Sequence, residues 1–157
     1  MKRMILILLF AVMCLSLTSC TIETKENVVD RYSNEVLRCF DERDAEGLKA
    51  LFCERVQNSS DFDKEIEKAM GFFEGNIVSY NDYFRGREGE AINDGKITDK
   101  HFVPVITDIK TDTNATYQIT FHFYTIYADD DQRIGITTFV IANENTDSVC
   151  EIGNADL

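Results

Sequence analysis

The stretch ATYQITFHFYTIY, at residues 115–127, alternates apolar and polar side chains with a period of two. The apolar positions are Tyr117, Ile119, Phe121 and Phe123. The positions between them are Thr116, Gln118, Thr120, His122 and Tyr124. Because successive side chains of a strand point to opposite faces, this pattern predicts a long β-strand whose apolar face packs on a core. We therefore expect His122 to point away from that core.

Further segments rich in β-branched and aromatic residues lie on both sides of this strand. They cover residues 77–84, 102–109, 133–142 and 148–152. Such runs, bounded by Gly, Asn and Asp, are typical of strands. Residues 86–95 are polar and contain glycines, which indicates either a loop or a hairpin that ends in the Asp94-Gly95 turn. The sequence Asp129-Asp130-Asp131 marks a second hairpin tip, so we expect an antiparallel meander.

The chain before residue 75 has helical periodicity instead. Apolar residues from Val29 to Phe40 recur at a spacing of three or four and form one stripe. Asp44 is a suitable N-cap for a second helix that carries apolar residues as far as Val56. A third helix begins at residue 60 or 61 and ends before Gly75. Helices first and strands afterwards predict an α+β fold, with three N-terminal helices packed on one face of a curved antiparallel sheet.

The first twenty residues have the pattern of an export signal. Two cations at positions 2 and 3 precede an apolar run over residues 4–17, which is too short to span a membrane and fits a signal peptide. The sequence LTSC at residues 17–20 resembles the lipobox of bacterial lipoproteins. That resemblance implies cleavage between Ser19 and Cys20, and a diacylglycerol with acyl chains such as palmitate on Cys20. The alternative is an ordinary secretory signal with an incidental cysteine.

The lipobox divides the chain into three parts. Residues 1–19 are then a signal peptide, residues 20–26 a lipidated tether, and residues 27–157 a single folded domain. Two or more acyl chains on one cysteine hold a folded domain firmly at a membrane. We therefore expect a lipid-anchored protein on the extracytoplasmic face of the cell membrane.

The charge of the chain excludes some partners. The 157 residues carry a net charge of −12, and removal of residues 1–19 takes away two cations and no carboxylate. Such an acidic chain lacks the clustered cations that nucleic acid requires, and anionic lipid headgroups repel it. With two histidines and no Cys-x-x-Cys spacing, we expect neither a metal site nor another cofactor. The aspartates at 129–131 lack the EF-hand alternation, so a solvated turn is favoured over a calcium site.

Several motifs together resemble a known family. The sequence DxxxLxxLF begins at Asp44, FFEGNIVSY covers residues 72–80, Asp94-Gly95-Lys96 marks a turn, and Gly135-Ile136 follows near the start of a later strand. With the long strand at 117–127, they resemble small bacterial lipoproteins of unknown function with a nuclear-transport-factor-2-like (cystatin-like) fold. The likeness covers residues 26–145. It implies a cone-shaped domain whose exposed sheet face often forms homodimers, and it provides no catalytic residue.

We interpret the protein as a non-enzymatic binding or protein-interaction module with an unknown protein or small-molecule ligand. It would use either a pocket or the exposed sheet face. The candidate residues are Tyr32, Tyr80, Asp82, His122 and Tyr124. The outer positions of the long strand mix polar and aromatic side chains, as interfaces do.

The alternative interpretation is a pocket enzyme of the isomerase or dehydratase type, acting on a small hydrophobic or carbonyl substrate. Asp82 would be its base, and Tyr80 or Tyr32 its proton donor. His101 is expected in an exposed loop. Cys39 and Cys53 either form a disulfide or remain buried free thiols.

Overall fold

The computed structural model of the protein describes residues 25–81 and 85–153. The helices in these ranges are α1 (Lys25–Asp41), α2 (Ala45–Ala50), α3 (Glu54–Gln57) and α4 (Phe62–Phe72). The strands are β1 (Ile77–Ser79), β2 (Arg85–Asn93), β3 (Lys96–Thr111), β4 (Thr116–Tyr127), β5 (Gly135–Asn143) and β6 (Ser148–Gly153). This order confirms the predicted α+β class. None of the helices within these ranges has the length and apolar character needed to cross a membrane.

All six strands form one open antiparallel sheet with the order β1-β3-β4-β5-β6. Both β2 and β1 pair with the same edge of β3. β2 pairs with the first part of β3, and β1 pairs with its last residues. Residues 86–95 therefore form a hairpin arm rather than a loop, which decides between the two predicted alternatives. The first predicted strand is shorter than expected, because β1 ends at Ser79 and residues 82–84 lie outside the described ranges.

The second predicted helix is wrong in its length, because the structure divides it into α2 and α3. The predicted N-cap is confirmed, since the Asp44 carboxylate accepts a hydrogen bond from the Gly47 amide at 2.8 Å. The helix stops because the Ile136 amide donates to the Leu51 carbonyl and the Cys53 amide donates to the Ile136 carbonyl, both at 2.9 Å. This short bridge to β5 replaces the hydrogen bonds that a continuous helix would make.

Gly135 makes this bridge possible. Its φ of +116° lies outside the range of most L-residues, and a Cβ at this position would lie 2.9 Å from the Cys53 amide nitrogen. No helical pattern in residues 44–56 could reveal the break, because its cause is a glycine about 80 residues further along the chain.

The core lies between the helices and the apolar face of β4. The four predicted apolar residues of β4, from Tyr117 to Phe123, are all buried. The Tyr32 ring of α1 stacks on Phe123 with a centroid distance of 4.1 Å. Further along α1, Phe40 contacts Phe73, which stacks on Tyr117 at 4.5 Å. The predicted orientation of β4 is therefore confirmed.

These contacts also fix the direction of α1. The helix starts beside the C-terminal half of β4, and its last residue, Asp41, accepts a hydrogen bond from the Ile77 amide of β1. Ile77 pairs with Thr111, the final residue of β3. The beginning of α1 and the Asp94-Gly95 turn before β3 thus lie at one end of the domain, which we call the hairpin end.

A partly buried group of polar contacts lies at the C-terminus of α4. The Tyr117 hydroxyl donates to the Phe72 carbonyl at 3.2 Å and accepts from the Glu74 amide at 3.0 Å. The Arg43 guanidinium donates to the carbonyls of Met70, Phe73 and Gly75. These bonds satisfy carbonyls that have no partner within the helix.

Tyr117→Phe tests this junction. The substitution keeps the ring stack but removes the hydroxyl of the buried Tyr117 from the Phe72 carbonyl and the Glu74 amide, so we expect a loss of about 1–2 kcal/mol in the free energy of unfolding. Urea denaturation followed by circular dichroism measures it. Tyr80→Phe is the control and should change less, because Tyr80 is 40% exposed and water can replace a partner there. Equal effects of the two substitutions would contradict this role of Tyr117.

Candidate functional site

The face of the sheet opposite the helices, which we call the outer face, is the main candidate surface. One row across it joins Val105, Thr120, Val140 and Glu151, each directly opposite the next in the antiparallel register. Apart from Glu151, these side chains are uncharged and half-buried. In the described part of the chain, no helix packs over this row, because the helices contact the opposite, buried positions of β4.

Charged residues lie at the two margins of the outer face. Arg87 of β2 lies opposite Val103, and its side chain is exposed. Glu151 lies at the other margin, between the buried residues Cys150 and Ile152, and it is also exposed. The outer face therefore has an uncharged centre, a cation on one side and a carboxylate on the other.

Two histidines meet on the outer face toward the hairpin end. The rings of His101 on β3 and His122 on β4 meet edge to face at an interplanar angle of 73°, with centroids 5.0 Å apart. Tyr124 contacts both rings, at 5.3 Å and 4.8 Å. The Asp99 carboxylate lies 2.7 Å from Nδ1 of His101. We call these four residues the histidine cluster.

Backbone features allow the cluster to form. The register of β4 against β3 shifts next to Tyr124, so that Lys100 pairs with Ile126 but His101 pairs with Tyr124. This β-bulge places Thr125 between the paired positions. On the other side, the His101 ring occupies the space above Gly89, where a Cβ would lie 2.3 Å from the ring. A side chain at residue 89 would displace His101.

Arg133 borders the cluster. Its guanidinium lies 4.7 Å from the Tyr127 ring centroid and 5.4 Å from the Tyr124 ring centroid, distances typical of cation–π contacts. It also donates a hydrogen bond to the Tyr127 hydroxyl at 3.0 Å. Burial raises the pKa of the Tyr124 hydroxyl, so Tyr124 stays neutral.

The His122 imidazole is neutral near pH 7. Burial lowers its pKa, and the neighbouring His101 and Arg133 lower it further, while Asp99 acts in the opposite direction. Its Nε2 is buried and has no hydrogen-bond partner among the described residues. A proton on this nitrogen would therefore be poorly solvated, so protonation of His122 opposes folding.

The predicted pocket residues occupy different surroundings. Tyr80 lines a surface groove of about 330 Å³ between α1 and β1, together with Leu37, Arg38 and Val78. Glu35, Glu42 and Asp44 all bind Arg38, so the guanidinium is already neutralised. Tyr32 stacks on Phe123 in the core instead.

Three other predicted positions, Asp82, Ser19 and Cys20, lie outside the described residues. Of the three residues predicted for a pocket, the structure places only Tyr32 and Tyr80, and it places them in different surroundings. It does bring His122 and Tyr124 together on the outer face, where the alternation of β4 predicted them.

The cysteines in the described ranges are buried free thiols. Cys39, Cys53 and Cys150 form no disulfide, which decides the question left open for Cys39 and Cys53. Burial raises the pKa of the Cys39 thiol to about 11, so it remains protonated. No group of three or more His, Cys, Asp or Glu side chains in residues 25–81 and 85–153 could hold a metal ion.

The sequence analysis did not assign four residues of this region, which are Gly89, Asp99, His101 and Arg133. The expected loop position of His101 is wrong, because β3 begins at Lys96 and includes it. The alternation of His101, Val103 and Val105 against buried Phe102 is the signal that could have placed it on the outer face. The contact between His101 and His122 depends on the β-bulge in β4, and no local sequence pattern indicates that bulge.

Comparison with known protein families gives a match over most of the chain. The chain belongs to the family defined by a domain of unknown function, DUF5104, which matches residues 35–144. The matched range runs from within α1 to just past β5 and includes the whole histidine cluster. A comparison with curated proteins gives no match.

Because burial lowers the pKa of His122, we expect the stability of the domain to depend on pH. Because the folded-state pKa of His122 lies below its ordinary value of 6.5, the unfolded chain binds the proton first, and the free energy of unfolding should fall as the pH drops below about 6.5. Urea denaturation at pH 7.5 and 5.5 measures this change. His122→Gln should reduce the difference between the two pH values. His101→Gln should retain most of it, since burial is the larger cause. An unchanged pH difference in His122→Gln would contradict the assignment.

Proposed function

We propose that this chain is a lipid-anchored, non-enzymatic interaction module with a nuclear-transport-factor-2-like cone. Acylation at Cys20, in the sequence LTSC, would hold it on the extracytoplasmic face of a cell membrane. Four helices on one face of an open antiparallel sheet are compatible with the cone. Aromatic side chains from α1, from Phe73 directly after α4 and from β4 pack against one another between helices and sheet, which favours binding at a surface over chemistry in a pocket.

The uncharged centre of the outer face carries this proposal. In a chain with a net charge of −12, most surfaces of two copies repel one another. Val105, Thr120 and Val140 can be brought against a second surface without desolvating a charge. Interfaces are depleted of charged residues at their centre and polar at their rim, as this face is.

The partner that fits this face best is a second copy of the chain. A two-fold axis parallel to the strands would stack two outer faces and place β2 of one copy over β6 of the other. Arg87 of each copy would then lie near Glu151 of its partner, so the opposite charges at the margins of the two faces would attract each other. Sheets that stack in this way bury their facing side chains in a layer about 10 Å thick.

Cys20→Ala tests the anchor. The substitution removes the sulfur that would carry the acyl chains, so the protein should move from the membrane fraction to the soluble fraction of cells that express the full chain. Fractionation with metabolic labelling by a palmitate analogue measures both location and acylation. Cys14→Ala, which changes a cysteine six residues earlier, is the control and should leave both unchanged. Continued acylation of the Cys20→Ala protein would refute the lipobox interpretation.

Thr120→Glu tests the outer face. It places a carboxylate at the centre of the proposed interface, where it would be desolvated, so self-association should weaken by at least tenfold. Sedimentation equilibrium in detergent measures the effect. Ser60→Glu adds the same charge at an exposed position before α4 and should leave association unchanged. A wild-type chain that stays monomeric at high micromolar concentration would exclude the second copy as the partner.

A further inference from the structure

Three of the six exposed large apolar side chains of the described residues lie at the hairpin end of the domain, and the other three are Val78, Tyr80 and Val149. Ile92 and Ile97 face each other across the β2–β3 turn and are 64% and 39% exposed. Ile134, which bridges to Tyr124, is 38% exposed at the same end. Single exposed apolar side chains are common on protein surfaces, whereas adjacent ones such as Ile92 and Ile97 are typical of a surface that contacts another apolar phase.

The turn projects beyond the rest of the sheet. The last residue of β4, Tyr127, pairs with Asp99, and the Ala128 amide donates to the Thr98 carbonyl. Residues 92–97, which we call the hairpin tip, therefore extend past the point where β4 ends. Phe102 of β3 lies level with Tyr32 of α1, because both contact Phe123. From Phe102 back to Ile97, β3 extends about 17 Å toward the hairpin end.

The proposed lipid anchor lies at the same end. From Tyr32 back to the first described residue, Lys25, α1 rises about 10 Å toward the hairpin end. Cys20 precedes Lys25 by five residues, which span at most about 17 Å even when fully extended. An acyl anchor at Cys20 therefore holds this end, and not the opposite one, close to the bilayer.

Charge does not attract the hairpin end to a membrane. Lys100 pairs with Glu90 and His101 with Asp99, which leaves Asp94 and Lys96 as neighbours of opposite sign at the turn. Asp129 and Asp131 in the adjacent β4–β5 turn are exposed carboxylates. The contact must therefore depend on the isoleucines and on the short tether, and it should favour a zwitterionic over an anionic lipid surface.

We infer that the hairpin tip is a second membrane contact, in which Ile92 and Ile97 enter the interface between headgroups and acyl chains. This inference rests on the proposed acylation of Cys20, because two aliphatic side chains bind a membrane weakly unless a tether keeps them near it. The hairpin tip then fixes the orientation of the domain on the bilayer, with the outer face roughly perpendicular to the membrane surface.

The absence of tryptophan from the sequence allows a direct test. A single tryptophan is introduced either by Ile92→Trp at the hairpin tip or by Val149→Trp. Val149 is 51% exposed and pairs with Ala142, at the end of the sheet away from the hairpin end. Tryptophan itself favours membrane interfaces, and this preference is the same in both variants. Each full chain is purified from bacterial membranes in detergent and reconstituted on phosphatidylcholine vesicles whose acyl chains are brominated near the headgroup.

The expected result is at least a twofold loss of fluorescence with a blue shift for Ile92→Trp, and little change for Val149→Trp. Replacement of half the phosphatidylcholine by phosphatidylglycerol should reduce the quenching. The hairpin contact is refuted if the chains float with the vesicles but the fluorescence of Ile92→Trp is not quenched. It is also refuted if both variants are quenched equally. Neither result contradicts acylation of Cys20. If neither chain is found in membranes or floats with vesicles, acylation is refuted and the hairpin contact falls with it.

Discussion

Aromatic rings from the helices interleave with one face of β4 along most of its length. Tyr32 stacks on Phe123 near the hairpin end, and Phe40 reaches Tyr117 through Phe73 at the other. Such burial is the main source of stability in a domain of this size. It also decides which side of the sheet is covered, in which direction α1 runs, and which side chains of β4 are left for the outer face. The outer face and the hairpin end both follow from this one packing arrangement.

Local patterns predicted the parts of the fold that depend on local chemistry. The alternation in residues 115–127 was sufficient to assign both faces of β4, because the side-chain period of a strand is two. The sequence is sufficient to predict Asp44 as a cap, because a capping carboxylate bonds an amide only two or three residues away, here that of Gly47. The β2 arm was ambiguous, since RGREGEAIN has few of the residues that favour strands and pairs because β3 provides a long edge.

The remaining features depend on contacts between distant residues. The break between α2 and α3 requires Gly135 and Ile136, and the apolar spacing of residues 44–56 gives no sign of it. His122 and Tyr124 were predicted on one face, but the approach of His101 depends on a bulge that shifts the register by one residue. Tyr32 and Tyr80 each looked suitable for a pocket, yet one packs into the core and the other lines a groove.

Because α1 and β3 run in the same direction, the symmetry of a dimer would determine how many acyl anchors face one bilayer. A two-fold axis parallel to the strands leaves the hairpin ends of both copies pointing the same way, so a dimer formed through the outer faces would present two acyl anchors to a single bilayer. A two-fold axis across the strands would point them in opposite directions, toward two separate membranes. With both anchors in one leaflet, release of one lipid leaves the other in place, and the residence time of the pair greatly exceeds that of a monomer. Dissociation of the outer faces would then shorten residence on the membrane without any change in the lipid itself.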